Sequence, residues 1–549
     1  MNPEMDSALK ELRQAVGDAY VIDTPEDLIV FEYDGAVDKA TPLAVVIPET
    51  AQQVSECVKV ARRHELPIVA RGAGTGLSGG AIAEHGGVVI AMTRMTKILE
   101  VDTENRIAVV EPGVVNLDLS THVAPLGLYY APDPSSQRAC TIGGNVAENS
   151  GGPHCLAYGV TTNHVLGMEV VLADGTIQWI GGRTRESVGF DLRGILVGSE
   201  GTLAIVTKVV VRLLTKPESV KTLLAIFKDL DDASAAVSGI IGAGIVPAAL
   251  EMMDDLCIQA AEASVHAGYP EGAGAVLLVE VDGITESVEE EVEAIEEVCN
   301  RFRPIEIRTA TDAEERERLW AGRKGVLGAL GRLAPNYLLV DGTVPRTKLV
   351  EVLSKIRQMS VDTGYPIANL LHAGDGNLHP LVCYDDAVDG QADLAEQVAT
   401  QILTYCLDVG GSLTGEHGIG FEKIGAMNWL FDDVALDLSV KIAKQTAEDL
   451  GDAYQPLPGS EIVRKMVEDL GRYGRKNGKG FYDYDQKPKV IWSGLADLAP
   501  VKVDELSMAD VEDQRRRLLF RQAVEGARCW EEGVIDDPRE ADVGAILAW

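Results

Sequence analysis

Residues 131–161, APDPSSQRACTIGGNVAENSGGPHCLAYGVT, run on without one core-like apolar stretch. On either side, RIAVVEPG and VLGMEVVLADG are β-branched runs bounded by turn residues and read as strands. A loop of that length inside a folded domain is either disordered or shaped by what it holds. Two more glycine stretches bracket it, VARGAGTGLSGGA at 69–81 and GSEGTLAIVT at 198–207. Gly74, Gly76 and Gly79 give a formal G-x-G-x-x-G behind the strand LPIVARG. A dinucleotide fingerprint needs a helix at the third glycine, but AIAEHGG and another apolar strand follow here. The alternative is a glycine loop whose backbone N–H groups face a pyrophosphate, or simply a tight surface turn. Three such elements in one region favour a large bound cofactor over the plain turn.

With 549 residues the chain exceeds one ordinary core, and two to four domains are expected. Thr50 caps a helix over AQQVSECVKVARR, and short strands such as GGVVIAM and TLAIVTKVVVRLL continue an α+β pattern to about residue 219. From 220 to 430, LLAIFKDL, DASAAVSGIIGAG, AVLLVEVDG and the acidic TESVEEEVEAIEEVCNRF alternate strand and helix, which predicts a second, smaller α/β domain with a solvated glutamate face. Beyond 431 strand signals nearly vanish, and an all-α segment is expected. The formal net charge of −36 repels phosphate backbones and anionic lipid, so nucleic acid is excluded as a partner. The N-terminus has no basic-then-apolar leader and no run of about 18 apolar residues occurs, so a soluble, cytoplasmic chain with no integral membrane segment is expected. The eight cysteines include no C-x-x-C, which argues against an iron–sulfur site in this chain.

RGAGTGLSGG, PDPSSQRACTIGGNVAENSGGPH and GSEGTLAIVT, in this order and spacing, resemble the FAD-binding domain of the vanillyl-alcohol-oxidase-type flavoproteins. The similarity is greatest to the branch of glycolate oxidase FAD subunits and D-lactate or D-2-hydroxyglutarate dehydrogenases, over residues 5–430. It implies an FAD domain at 1–219 and a ferredoxin-like α/β substrate domain at 220–430. By the same resemblance Arg71, Gly72, Ala73, Gly74, Thr75, Gly76, Gly79 and Gly80 wrap the FAD pyrophosphate. Pro134, Ser135, Thr141, Gly143, Gly144, Asn145, Asn149, Ser150 and Gly151 contact pyrophosphate and isoalloxazine, while Glu200, Gly201 and Ile205 lie by the adenosine and ring. No covalent flavin attachment residue stands out, though His154 raises the question.

LHAGDGNLHP, residues 371–380, carries two histidines around a turn. As two strands joined by Gly374–Asn377, it pairs Ala373 with Leu378 and His372 with His379, close enough to share a divalent metal. GGSLTGEHGIG at 410–420 offers Glu416 as a third ligand, completing an open His/His/carboxylate set; two histidines bonded within a core remain the alternative. HAGDGNLHP and GEHGIG resemble the metal motifs of metal-dependent D-2-hydroxyacid dehydrogenases of the same family. This implies His372, His379 and Glu416 as ligands of a divalent metal, Zn or Mn, with His417 as general base. Arg323 in LWAGRKG is a candidate for the substrate carboxylate, or else part of an exposed Arg-Lys pair; Arg346 is a second candidate. Asn377 is a candidate to orient His372 or the flavin.

The tail from 431 to 549 departs from that family and resembles the C-terminal helical region of 3-hydroxyacyl-CoA dehydrogenases, without their NAD-binding domain or catalytic His-Glu pair. GRKNGKGFY reads as an interhelix turn or, alternatively, a CoA contact. Apolar helix faces deprived of their usual partners favour homo-oligomers. The leading expectation is FAD-dependent oxidation of a small D-2-hydroxyacid, glycolate or D-lactate, to the 2-oxoacid, with electrons leaving to separate acceptor subunits that include an iron–sulfur protein. Alternatives are an impaired fusion serving as an FAD-binding or assembly module, and a fragment of a 3-hydroxyacyl-CoA dehydrogenase.

Overall fold

The computed structural model describes residues 3–184, 189–270 and 272–424 together with 426, 436, 440, 444, 460–474, 479–483, 490–494 and 498. The chain divides into two compact units, Met1–Ser187 with Leu192–Lys423, and Val188–Asp191 with Ile424–Trp549.

The first unit is built on three sheets. Ala44–Val46 and Val88–Ala91 pair in parallel, as do Val88–Ala91 and Ile68–Arg71, with Val21–Ile22 antiparallel at the edge. Both middle strands are buried at every position, as parallel strands covered on two faces must be. The helix Ala51–Arg63, capped by Thr50 accepting from the Gln53 amide, buries Val54, Cys57 and Val58 at helical spacing in the same core as Val46, Val88 and Ile90. A second, antiparallel sheet follows the order Ile98–Asp102, Ile107–Val110, Ala204–Arg212, Val165–Leu172, Ile177–Gly181. The glycine loops leave from the ends of these strands, which is how two rigid sheets come to present flexible backbone in one place.

The third sheet is antiparallel. Its first four strands in sequence, Ser219–Phe227, Ala249–Asp254, Ala275–Gly283 and Glu306–Thr309, stand in spatial order four, one, three, two. That is the ferredoxin-like order the sequence led us to expect. Ile367–His372, Asn377–Tyr384 and Asn336–Leu339 extend it. The acidic helix Thr285–Asn300 buries Val288, Ile295, Val298 and Cys299 and leaves Glu286, Glu289, Glu290, Glu293 and Glu297 exposed. Glu251, Asp254 and Glu280 interrupt the apolar pattern, buried carboxylates on strands buried almost throughout.

In the second unit the helix Ser460–Glu468 packs Met466 and Val467 against Leu436 and Val440. Tyr482–Asp483 pairs with Val490–Ile491, so the expected all-α segment contains a small β-hairpin. The short β-propensity stretches that form it were overshadowed in the sequence by the longer helical periodicity around them. Gly474 and Lys479 exchange both backbone hydrogen bonds (2.8 and 3.2 Å), while residues 475–478 of GRKNGKGFY lie outside the described residues. The helices expected over 432–450 and 514–533 lie outside the described residues, apart from positions 436, 440 and 444. No described helix is long and apolar enough to cross a membrane.

Candidate active site

The strands Ile367–His372 and Asn377–Tyr384 form a hairpin whose register pairs His372 with Asn377 and Leu370 with His379. The expected pairing of His372 with His379 is therefore displaced by two residues, because the strand resumes at Asn377, which the sequence reading had placed in the turn. A two-residue slip preserves the face of a strand. The histidines remain diagonal neighbours, their rings perpendicular and 5.1 Å apart. His372 Nε2 and His379 Nε2 both reach Glu416 Oε1, at 2.9 and 3.1 Å. All three candidate ligand atoms lie within 4.8 Å of one another. His417 stacks on His379 with centroids 4.8 Å apart and its Nε2 stands 3.9 Å from Glu416 Oε1.

The charge balance fits a cation. Burial alone would lower His372, yet the carboxylates of Glu251 and Glu416 outweigh it and push the imidazole up to about 10. Burial would raise Glu416, and the His372 and His379 imidazoles instead hold it well below the usual carboxylate range. A pocket that binds a proton this tightly draws a divalent ion by the same field, and two imidazoles with one carboxylate are a donor set for zinc or manganese. Burial, helped by the facing His379 and opposed by Asp341, takes His417 down to about 4, so it stands neutral with a free acceptor capacity.

Two residues that sequence reasoning did not single out hold this geometry. Glu251 Oε1 lies 2.7 Å from His372 Nδ1, which directs Nε2 toward Glu416. Its other oxygen pairs with Arg323 at 2.5 Å, and both side chains are almost fully buried. Asp341, fully buried, accepts from Thr414 Oγ1 (2.5 Å) and from the amides of Gly415 (3.0 Å) and His417 (3.0 Å), and pairs with Lys423 Nζ at 3.2 Å. It thereby fixes the backbone that presents Glu416 and His417. The available signal was a lone charge inside an apolar run, ALEMMD for Glu251 and LLVDG for Asp341; their partners lie far away in sequence, which no local pattern reveals.

Arg323 is thus brought to the site through Glu251 rather than as an exposed cation. Asn377 packs its side chain against the Gly415 backbone, where a Cβ would stand 2.3 Å from its Cγ, and its Oδ1 is buried with no partner among the described residues. Arg346 Nη1 donates to the Gly374 carbonyl at 3.0 Å, bracing the hairpin turn.

On the flavin side, one cleft is lined by Arg71, Gly72, Thr141, Gly143, Gly144, Gly201 and Ile205, drawing all three glycine stretches together. Ala73, Gly74, Thr75, Gly76, Gly79 and Gly80 continue the loop after the strand Ile68–Arg71, with Gly74 and Gly79 at φ +68° and +78°. A Cβ on Gly72 would fall 2.5 Å from Thr141 Oγ1, the atom that caps the helix Ile142–Glu148. Asn145 is buried on that helix and its Nδ2 has no partner among the described residues, a donor suited to an oxygen-rich cofactor. Open glycine backbone and an unsatisfied amide donor fit FAD.

Pro134, Ser135, Asn149, Ser150 and Gly151 are not among the residues that line this cleft. Asn149 ends the helix in the left-handed region, and Gly151 lies against Glu416. Glu200 turns its carboxylate to the amides of Ile419 (2.9 Å) and Gly420 (2.8 Å), clamping the loop that carries His417. Glu148, also not foreseen, has its carboxyl raised well above the usual range by burial and then by Glu200. The ring nitrogens of His154 are taken by Asp133 (2.9 Å) and Glu280 (3.1 Å), which leaves His154 no free ring nitrogen for covalent flavin attachment.

Residues 42–181 match the FAD binding domain family, and 216–445 match the family described as FAD linked oxidases, C-terminal domain. Residues 414–484 match the 3-hydroxyacyl-CoA dehydrogenase C-terminal domain and so overlap the preceding match. Glycolate oxidase subunit GlcD of Escherichia coli (strain K12) is 46% identical over 446 residues, 80% of this chain and 89% of that protein. The Bacillus subtilis (strain 168) subunit of the same name is 41% identical over 75% of this chain and 88% of its own. D-lactate dehydrogenase of Anaerostipes hadrus is 34% identical over 77% and 90%. Among solved structures, p-cresol methylhydroxylase superposes with TM-score 0.66 at 18% identity, covering 85% of this chain and 95% of the other, a likeness of fold alone. Such identity, sustained over most of the curated relatives' length, together with family matches that take in glycine stretches of the flavin groove and the histidine hairpin, makes this chain a member of the FAD-linked oxidases, the family of glycolate oxidase subunits and D-lactate dehydrogenases.

Proposed function

We propose that the chain oxidises a small D-2-hydroxyacid, glycolate or D-lactate, to the corresponding 2-oxoacid. The observation that carries this reading is the convergence of His372 and His379 on Glu416, with His417 beside them. His372, His379 and Glu416 would hold a divalent metal, and the glycine cleft would hold FAD. When bound, the cation supplies a Lewis acid for the substrate hydroxyl and FAD supplies the hydride acceptor. His417 takes the hydroxyl proton, a role suited to a neutral imidazole held by its own backbone amide to Asp341. Glu251 keeps His372 in the tautomer that leaves Nε2 free to ligate, and Arg323 neutralises the second oxygen of Glu251. The buried setting of both histidines excludes bulk water from the reacting groups.

Electrons would then leave to separate acceptor subunits, one of them an iron–sulfur protein, a reading supported by the relatives' own description as subunits of glycolate oxidase. The similarity of 414–484 to 3-hydroxyacyl-CoA dehydrogenases favours no second activity, since it covers neither an NAD-binding domain nor that enzyme's catalytic pair.

The test is anaerobic stopped-flow absorbance of the oxidised flavin on mixing with glycolate, D-lactate or D-2-hydroxyglutarate, before and after chelation and add-back of zinc or manganese. We expect one acid to bleach the flavin only when metal is present. Bound flavin that no hydroxyacid bleaches would favour an FAD-binding or assembly role instead.

A further inference from the structure

The loop that follows the flavin cleft is fastened to the third sheet at two points. At the first, His154 bridges Asp133 of its own lobe and Glu280 of the strand Ala275–Gly283, at 2.9 and 3.1 Å. At the second, Tyr158 Oη donates to the carboxylate of Asp282, at 2.6 and 2.7 Å from its two oxygens. The two spacings match. His154 and Tyr158 are four residues apart around the short helix Cys155–Tyr158, a rise of about 6 Å. Glu280 and Asp282 are two residues apart on one strand face, about 6.7 Å. A helical i, i+4 pair therefore docks on a strand i, i+2 pair without distortion.

Glu280 is more than an acceptor for His154. Its Oε2 also takes Trp320 Nε1 at 2.6 Å and Thr222 Oγ1 at 2.8 Å, and the Trp320 ring stacks on the His154 imidazole with centroids 5.7 Å apart. Trp320 lies one turn before Arg323 on the helix Ala313–Ala329. From Arg323 the contacts run to Glu251 (2.5 Å), His372 (2.7 Å) and Glu416 (2.9 Å). The same loop also meets Glu416 directly at Gly151, where a Cβ would stand 2.7 Å from Oε2.

We propose, building on the 2-hydroxyacid reading above, that His154 is a positioning residue: with Tyr158 it fixes the distance between the flavin lobe and the His372–His379–Glu416 cluster. No ring nitrogen of His154 is left for substrate or cofactor, so its part is to hold two surfaces in register. A hydride donor and acceptor a fraction of an ångström out of place react far more slowly, although each still binds its own site.

The test uses the full-length, FAD- and metal-loaded protein carrying His154→Gln, Tyr158→Phe or both, with Trp320→Phe as a milder probe should His154→Gln fold poorly. Hydrogen–deuterium exchange of residues 150–160 needs no substrate, and each single variant should quicken it about tenfold or more while FAD and metal stoichiometry hold. The rate of hydroxyacid-driven flavin reduction should fall by about tenfold or more in His154→Gln, with a smaller change in the apparent hydroxyacid affinity. Unchanged exchange with an unchanged reduction rate would overturn the proposal. So would loss of FAD and metal with the reduction rate per loaded site intact, which is the mark of a purely structural residue. If the wild type is not bleached by any hydroxyacid, the functional reading fails while the exchange data still decide the tie.

Discussion

The candidate ligands could be named from sequence because two histidines flank a turn and a glutamate sits among glycines, each feature visible within a stretch of about ten residues. Their supports could not. Glu251 and Asp341 each look like an isolated charge, and only the fold shows one bonded to His372 and Arg323 and the other to the backbone of Gly415 and His417. This division predicts distinct phenotypes. Glu251→Gln should retain FAD but weaken metal affinity about 10- to 100-fold, read as metal content after dialysis against graded chelator. His417→Gln should keep both FAD and metal, yet slow substrate-driven flavin reduction by about 10²- to 10⁴-fold in stopped-flow traces. Asp341→Asn leaves Lys423 buried beside a neutral side chain, and a loss of about 3–5 kcal/mol in denaturant unfolding is expected.

Among the elements, strands were legible where burial made them continuously apolar, as in Val88–Ala91 and Ala275–Gly283. The hairpin shows what pattern alone leaves open. Its face was read correctly and its register was not, since a shift of two residues costs nothing in hydrophobic alternation and is settled by the turn from Ala373 to Gly376. The short helix Ile142–Glu148 was hidden inside what read as one long loop, because Gly143 and Gly144 are poor helix formers and its Thr141 cap is the only local signal. That cap and the glycine loop are pressed together. Gly72→Ala should therefore displace Thr141 Oγ1 and lower FAD occupancy, seen as a reduced ratio of flavin absorbance to protein absorbance after gel filtration. If Gly72→Ala purifies with a full complement of flavin, the close packing of those two loops is not what shapes the cleft.

At the scale of the molecule, the pairing of lobes carries a pH signature. His154 is raised well above the ordinary imidazole value, burial opposing the shift and Asp133 with Glu280 prevailing. A histidine raised on folding stabilises in full below its unfolded value, about 6.5, and loses that contribution as pH rises through the folded one. Thermal midpoints of the wild type should accordingly decline on the alkaline side, and His154→Gln should flatten that decline; parallel pH profiles would count against the assignment. Core strands were within reach of sequence pattern and the ferredoxin-like order followed from the family resemblance, whereas the small hairpin at Tyr482–Asp483 was not foreseen. The cluster itself draws on residues scattered from Glu251 to Glu416, anchored on strands that pair only once the third sheet is complete. His372 and His379 share one local hairpin, whereas Glu416 and Glu251 reach them across 37 residues or more, the contacts of higher closure cost. A cation proposed for this cluster would therefore meet its three donors together only where the third sheet and the loop carrying Glu416 are both in place.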